Sequence, residues 1–296
     1  MILSYTISTE DHYSHIKELL KEYFQISDRL LLKLKKNQSI LLNDKVTSVN
    51  AILSVGDTIK VLLNHPEDNS NIVSIKMDLA ILYEDEGLLI LNKPAGIPVH
   101  PSMEHYDSSL SNGVKFYFDQ IGLEKKIRPV NRIDKNTSGI VVFAKNEYIQ
   151  ECLIRQMKSG DFEKKYIAIC ENKFQKKQGT IDLPIARKPD SIIERCISDS
   201  GEFAKTYYTV LFECEDYSIV SCKLETGRTH QIRVHLASIG HPLLGDTLYG
   251  NSSSFIGRQA LHAYKIKFVH PVYKKLVDYT APLPDDMRSL IPISLL

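Results

Sequence analysis

Residues 128–145 read RPVNRIDKNTSGIVVFAK and combine a polar loop with an apolar, strand-like run. Arg132 and Asp134 lie two positions apart in the loop, and the run from Ile140 to Ala144 is typical of a buried strand. A carboxylate held beside an arginine stays ionised at neutral pH and can act as a nucleophile or a general base. Taken alone, the segment favours an exposed Arg–Asp pair in a turn, so its meaning depends on the rest of the chain.

A second loop with a restricted backbone lies upstream, at residues 87–101, which read GLLILNKPAGIPVHP. The apolar run Leu88–Leu91 predicts a buried strand, and Pro94, Gly96 and Pro98 fix the path of the loop that follows. Such a loop fits the border of a functional site. A tight exit from a strand explains this segment nearly as well.

A third segment, residues 225–242, reads ETGRTHQIRVHLASIGHP and predicts a helix with basic side chains. Apolar residues recur at helical spacing from Ile232 to Ile239 and would form a buried face. The helix would then offer Arg228, His230 and Arg233 to a polar cleft. A basic face on a single helix is usually only solvated, so this segment also stays open.

Beyond the N-terminal residues, strand-like and helical segments alternate irregularly along the chain. This order favours an α+β fold with a large mixed or antiparallel sheet and a central cleft. The predicted strands are Leu88–Leu91, Ile140–Ala144, Tyr207–Phe212, Ile219–Leu224 and Ala263–Phe268, and the predicted helices are Asp107–Phe118, Glu147–Lys158 and His230–Ile239.

The N-terminal residues predict a small helix-helix-strand unit. A helix is expected within His15–Phe24, and Ser27 is expected to cap a second helix that ends in basic residues, namely Lys33, Lys35 and Lys36. The order resembles the alpha-L RNA-binding motif through Ile26–Arg29, Leu41–Val46 and Val55–Ile59. A generic small α+β unit is the alternative.

Composition and patterning divide the chain into an N-terminal domain and a larger one. The polar stretch His65–Ser74 indicates a connector. We therefore expect an alpha-L type RNA-binding domain at residues 1–65, a linker at 66–78 and a catalytic domain at 79–296.

The three segments, in this order and spacing, resemble the RluA-type pseudouridine synthases, which act on ribosomal and transfer RNA. The resemblance extends from about Ile81 to Pro284. Its motifs are Asn92–Gly96, Arg132–Asp134 with Thr137–Gly139, Lys165–Ala168, Ala204–Tyr207, Thr226–Arg233, Gly240–Gly250 and Gln259–His262.

The resemblance implies a role for several side chains. Asp134 matches the essential nucleophile, which promotes cleavage of the uridine C1'–N1 bond before uracil rotates and rejoins through C5; attack at C1', attack at C6 and a glycal-like path all remain open. Arg233 matches the arginine that pairs with this aspartate, and Tyr166 matches the tyrosine that stacks on the base and could assist deprotonation. Arg132 matches the arginine that enters the RNA helix when the nucleotide flips out.

One residue departs from the family pattern. The aspartate segment most often reads His-Arg-Leu-Asp, whereas this chain has Asn131-Arg132-Ile133-Asp134. Asparagine keeps hydrogen bonding but loses a titratable group. Because the family mechanism assigns this position no proton transfer, we expect activity to survive, and substrate choice is the property that the change puts in question.

The resemblance and the charge pattern together predict structured RNA, ribosomal or transfer, as the partner. The net charge is only +1, but lysines and arginines cluster locally, and the expected RNA-binding side chains are Arg132, Arg228, His230, Lys33, Lys35 and Lys36. The isomerisation needs no cofactor and no metal, and the sequence has no GxGxxG or phosphate loop.

Other properties follow from what the sequence lacks and from rival interpretations. Neither a signal peptide nor a membrane-spanning run is apparent, so we expect a cytoplasmic protein that does not bind membranes, and we favour a monomer.

A catalytically silent RNA-binding protein of the same fold is the main alternative to the pseudouridine synthase. A glycosidase or nucleoside hydrolase is weaker, since that chemistry usually requires two carboxylates and one stands out here.

Overall fold

The N-terminal unit is an antiparallel four-stranded sheet with two helices, seen in a computed structural model that describes residues 1–293. Its elements are β1 (Ile2–Thr6), α1 (Ile16–Glu22), α2 (Asp28–Lys36), β2 (Ile40–Leu42), β3 (Lys45–Val46) and β4 (Thr58–Leu62). Ser27 caps α2 as expected, its Oγ accepting a hydrogen bond from the Leu30 N–H at 3.2 Å. The sequence did not predict β1, since Leu3 is the one fully buried side chain of this strand and leaves little periodic signal.

The larger part of the chain is built on a ten-stranded sheet. Its elements are β5 (Ile81–Glu84), β6 (Leu88–Lys93), α3 (Leu110–Gln120), β7 (Arg128–Pro129), β8 (Ser138–Ala144), α4 (Glu147–Ser159), β9 (Glu163–Glu171), β10 (Gln178–Asp182), β11 (Ile185–Arg187), β12 (Arg195–Ile197), β13 (Lys205–Glu213), β14 (Tyr217–Leu224), α5 (Gln231–Ser238), β15 (Leu261–Val269), β16 (Leu276–Thr280) and α6 (Asp285–Arg288). The main path runs β10-β13-β14-β9-β15-β8-β6-β5, β16 and β7 pair with β15 and β8, and β11 with β12 forms a separate ribbon.

The sheet is mixed, which confirms the predicted α+β fold. The pairing of β8 with β15 is parallel, and the other strand pairs within residues 1–293 are antiparallel. The predicted strands and helices are all present, with ends that differ from the expected ones by a few residues. The expected catalytic domain ends in three residues, 294–296, that lie outside the described part.

Strand β8 is buried on both faces of the sheet, and its residues Ile140–Ala144 are all apolar. Ile140 and Val142 face a core that contains α4 and both N-terminal helices. Val141 and Phe143 face the opposite core, which contains α3 and α5. Because side chains alternate between the faces of a strand, one short run supplies both cores.

The N-terminal unit is fixed to the larger part by ion pairs as well as by a shared core. The Lys33 ammonium lies between the carboxylates of Glu67, at 2.8 Å, and Glu147, at 3.0 Å. Arg128 donates two hydrogen bonds to Glu67, at 2.7 and 2.8 Å. These cations, which outweigh the opposing effect of burial, lower the pKa of Glu67 to about 2. The junction is therefore a specific, charged contact.

A glycine allows the loop that precedes β8 to lie directly against β15. Gly139 has φ +111°, and a Cβ at this position would lie 2.3 Å from the carbonyl oxygen of Ala263. The parallel pairing of β8 with β15 joins Ser138 to His262 and Gly139 to Ala263. The close approach fixes where the loop containing Asp134 enters the sheet.

Among residues 1–293, no helix has the length and apolar character needed to cross a membrane.

Candidate active site

An open cavity of about 400 Å³ lies where two of the three sequence segments, residues 128–145 and 225–242, meet strand β9. The loop before β8, strand β9 and the turn before α5 form its walls. Its lining includes Arg132, Asp134, Lys164, Tyr166, His230 and Arg233. The structure therefore brings together residues that are up to 132 positions apart in the chain, Pro129 and Leu261 being the outermost.

The side chain of Asn131 anchors the Asp134 loop to β8. Its Nδ2 donates a hydrogen bond to the Ile140 carbonyl oxygen at 3.0 Å, and its Oδ1 accepts one from the Val142 N–H at 2.8 Å. The side-chain amide of Asn131 therefore continues the hydrogen-bonding pattern along the edge of β8. Both of its polar groups are used by the backbone, so this departure from the usual histidine serves a structural contact.

Lys93 joins the first segment to the second. Its Nζ is fully buried and donates hydrogen bonds to the carbonyl oxygens of Pro94, Ile97 and Lys135, at 2.8, 2.7 and 2.9 Å. Burial lowers the pKa of Lys93 to about 7, although the nearby Asp134 carboxylate opposes this shift. One buried ammonium therefore holds both loops in place and adds positive charge near Asp134.

Arg233 is shared between two carboxylates of unequal burial. Its Nε and Nη2 donate to Asp246 at 2.7 and 2.8 Å, whereas its Nη1 reaches Asp134 at 3.3 Å. The Asp246 side chain is 1% exposed and that of Asp134 is 24% exposed. Burial opposes the charge on Arg233, but Asp246 and then Asp134 raise its pKa above the ordinary value.

This sharing leaves Asp134 as the more accessible carboxylate of the pair. Asp246 takes the bidentate contact, which is the stronger arrangement for an arginine and a carboxylate. Asp134 receives one long hydrogen bond and keeps its other oxygen facing the cavity, where His230 Nε2 lies 4.0 Å away. A carboxylate that is oriented but not saturated with hydrogen bonds is suited to attack an electrophile.

His230 completes the wall on the α5 side and contacts Tyr249. His230 has φ +58°, and its Nδ1 lies 2.8 Å from the Tyr249 hydroxyl. Burial lowers the pKa of His230, with Asp134 opposing, so the imidazole is neutral near pH 7. The Tyr249 ring lies under the guanidinium of Arg233, 5.0 Å from its central carbon, and supports it by a cation–π contact.

Tyr166 provides a flat, buried ring next to the carboxylate. Burial and then the charge of Asp134 raise the pKa of the Tyr166 hydroxyl well above its ordinary range. The phenol is therefore protonated at neutral pH. Leu224 and Leu261 line the cavity beside it, so a planar base can stack on an apolar surface here.

The six expected RNA-binding residues occupy different places. Arg132 and His230 line the cavity, and Arg132 is exposed at its edge. Arg228 also lines it, but its guanidinium contacts Glu202 at 2.8 Å and the Phe203 carbonyl oxygen at 2.9 Å.

The three lysines of α2 do not lie at the cavity. Lys35 and Lys36 are exposed at the end of the helix. Lys33 is held by Glu67 and Glu147 at the junction, so its position differs from that of a free RNA-binding lysine.

Four further residues of the site were not singled out from the sequence, namely Lys93, Lys164, Asp246 and Tyr249. Lys93, Asp246 and Tyr249 lie inside segments that carried the family resemblance, and Lys164 directly precedes such a segment. The only sequence signal for these residues was a charged or aromatic side chain inside or next to a segment that resembles the family. Their roles depend on contacts with distant residues, and sequence spacing does not show these contacts.

Comparisons with known proteins identify the family of this chain. The family profile described as RNA pseudouridylate synthase matches residues 87–238. YjbO of Bacillus subtilis, named as an RNA pseudouridine synthase, is 39% identical over 276 residues, which cover 92% of this chain and 98% of the relative. The ribosomal large subunit pseudouridine synthase D of Haemophilus influenzae is 31% identical, over 98% of this chain and 94% of that protein.

A solved structure gives the same result. The human RNA pseudouridylate synthase domain containing 1 has a TM-score of 0.57 and 27% identity, over 70% of this chain and 84% of that one. The chain belongs to the RNA pseudouridine synthase family. It is an isomerase that converts uridine in RNA to pseudouridine, in a family that uses an aspartate nucleophile and base flipping.

Proposed function

We propose that this enzyme isomerises uridine in ribosomal RNA and that Asp134 is its nucleophile. The observation that carries the proposal is the hydrogen bonding of Arg233, which binds Asp246 with two groups and leaves Asp134 oriented and partly exposed in the cavity. The names of relatives support the choice of RNA, since several are ribosomal large subunit pseudouridine synthases, including one from Nitrosomonas europaea with 37% identity over 245 residues.

The proposed roles follow from position in the cavity. Asp134 attacks the uridine, Arg233 holds it charged and aimed, and the Tyr166 ring stacks on the uracil. Burial and Asp134 raise the pKa of Tyr166, so its phenol is protonated at neutral pH and its ring serves as the platform for the base. Arg132, exposed at the edge, fills the space that the flipped nucleotide leaves in the RNA.

The two-domain arrangement is part of the proposal. Residues 1–65 form an RNA-binding domain of the alpha-L type, with Lys35 and Lys36 on its exposed surface, and the catalytic domain begins near residue 79. A monomer is the proposed active unit. A ribosomal RNA substrate would place the enzyme in the cytoplasm.

A catalytically silent RNA-binding protein is disfavoured by the same geometry. A protein that only bound RNA would have no need for a buried Asp246–Arg233 pair aimed at a second carboxylate, since burying charges is costly. The arrangement is instead that of a site in which one carboxylate is kept reactive.

The test uses unmodified transcripts of ribosomal and transfer RNA. Each is incubated with the wild-type protein or with Asp134→Ala, and nucleosides are quantified by mass spectrometry after digestion. We expect pseudouridine in ribosomal RNA from the wild type alone. Pseudouridine in transfer RNA alone would overturn the choice of substrate. Equal product from both proteins would overturn the role of Asp134, and release of free uracil would indicate a hydrolase.

A further inference from the structure

Lys164 is a cation of the cavity that has no anionic partner among residues 1–293. It lies on β9 two residues before Tyr166, and alternate residues of a strand share a face, so both side chains line the cavity. Its neighbours differ: Lys165 and Lys223 both bind Glu163, at 3.4 and 2.5 Å. Across residues 1–293, Lys164 Nζ has no carboxylate within 4.0 Å and no hydrogen-bond acceptor.

The surroundings of the Lys164 ammonium leave space for a ligand. Nζ lies beside Gly227, where a Cβ would be 3.4 Å away, so the absence of a side chain there keeps the approach open. Burial alone lowers the pKa of Lys164, with no carboxylate near enough to oppose the shift. A partly buried charge without a counterion is unfavourable, and binding an anion removes this penalty.

The distance between Lys164 and Tyr166 matches the dimensions of one nucleotide. Residues two apart on a strand are separated by about 6.6 Å, a distance that one nucleotide bridges between its base and a flanking phosphate. In RNA the phosphodiester is the anion available, and lysine binds phosphate as a compact point charge. Lys158 also lines the cavity but is exposed on α4.

We propose that Lys164 forms a phosphate subsite inside the active cavity and binds the phosphodiester next to the flipped uridine while the uracil stacks on Tyr166. The subsite rests on the proposed function, since the base is placed by the same cavity. It differs from the cations at the edge, which meet the surface of the RNA before the nucleotide enters. The Lys164 subsite therefore stabilises the nucleotide after it has flipped into the cavity.

Three variants distinguish a specific phosphate contact of Lys164 from a general effect of positive charge on RNA binding. Lys164→Met removes the charge and keeps an apolar chain of similar length, and Lys164→Arg keeps the charge. Lys165→Met is the matched control, because it removes one positive charge from the same strand at a residue paired with Glu163. For each protein, kcat and KM for pseudouridine formation in ribosomal RNA transcripts are measured between 50 and about 200 mM salt, the range over which phosphate contacts weaken strongly.

We expect Lys164→Met to raise KM about tenfold and to reduce the slope of log KM against log salt by about 0.7, the value for one phosphate contact on a single strand. Lys164→Arg should recover most of the affinity, and Lys165→Met should behave like the wild type. An unchanged KM and slope in Lys164→Met, or equal changes in Lys165→Met, would overturn the subsite.

A binding measurement separates failure of the subsite from failure of the proposed function. The RNA affinity of Asp134→Asn, with and without Lys164→Met, is titrated with the same salts by fluorescence anisotropy. If Lys164→Met reduces the slope of log Kd against log salt, the subsite is supported even when no isomerisation is detected. An identical slope in both proteins overturns it even if the wild type is fully active.

Discussion

Replacing Asp246 by asparagine would test how the buried ion pair controls the reactive carboxylate. The substitution keeps the shape of the side chain but removes the charge that accepts two hydrogen bonds from Arg233, at 2.7 and 2.8 Å. Breaking one partner of a buried pair costs about 3–5 kcal/mol. Because Asp134 remains as an alternative partner, we expect the lower end, about 3 kcal/mol, which corresponds to a fall in Tm of roughly 6 °C for a chain of this length.

The effect on catalysis should be of similar size to the effect on folding. Without Asp246, the guanidinium of Arg233 is free to turn toward Asp134, and the single contact at 3.3 Å becomes a closer, stronger pair. Asp134 would lose both its orientation and part of its reactivity. Misplacement of a reacting group by about 1 Å can cost 10²-fold, so we expect the single-turnover rate to fall about a hundredfold at a temperature where the variant is fully folded.

A matched control exists in the same chain. Arg258 binds Asp286 through two hydrogen bonds of 2.7 and 2.9 Å, but the Asp286 side chain is 43% exposed. Exposed ion pairs contribute at most about 1 kcal/mol, so Asp286→Asn should change Tm by no more than about 2 °C and leave the rate unchanged. Thermal melts and single-turnover assays of both variants decide the matter. Equal losses in the two, or a wild-type rate in Asp246→Asn, would refute the reasoning.

Two further predictions concern the loops that carry the site. Lys93→Met leaves three carbonyl groups without their shared donor, so we expect the free energy of unfolding to fall by about 3 kcal/mol and kcat to fall with it, as measured by urea titration and turnover. Gly139→Ala would place a methyl group 2.3 Å from the Ala263 carbonyl oxygen at a positive φ and should lower Tm by more than about 6 °C. Gly257→Ala is its control, since nothing lies within 4 Å of that position, and a similar Tm in both variants would contradict the close approach of β8 to β15.

Much of the fold was predictable because its main elements have strong local patterns. The run Ile140–Ala144 is apolar throughout, which correctly indicated a strand buried on both faces. Strand β1 could not be predicted, since it owes its existence to pairing with β4, more than 50 residues later. The order of strands in the large sheet likewise depends on long-range pairing, which periodicity does not contain.

The candidate site was predictable in part, through residues that carry the family resemblance. Asp134, Tyr166 and Arg233 were expected to act together, and the structure places them in one cavity, while their catalytic roles remain predictions. The partner of Arg233 was not foreseen, because nothing in the sequence tells which of two aspartates takes the bidentate contact. The sequence also could not show that Lys33 lies at a junction, since Glu67 and Glu147 are far from it in the chain.

The rate of Asp134→Asn, measured on ribosomal RNA that it still binds, tests the central claim most directly. Asparagine has the same size and can still contact Arg233, so binding should stay within about threefold of the wild type while pseudouridine formation falls by at least about 10⁴-fold, as for loss of a nucleophile. Asp216→Asn, at an exposed residue in the turn between β13 and β14, should retain the wild-type rate. Pseudouridine formed by Asp134→Asn at a rate near that of the wild type would contradict the account.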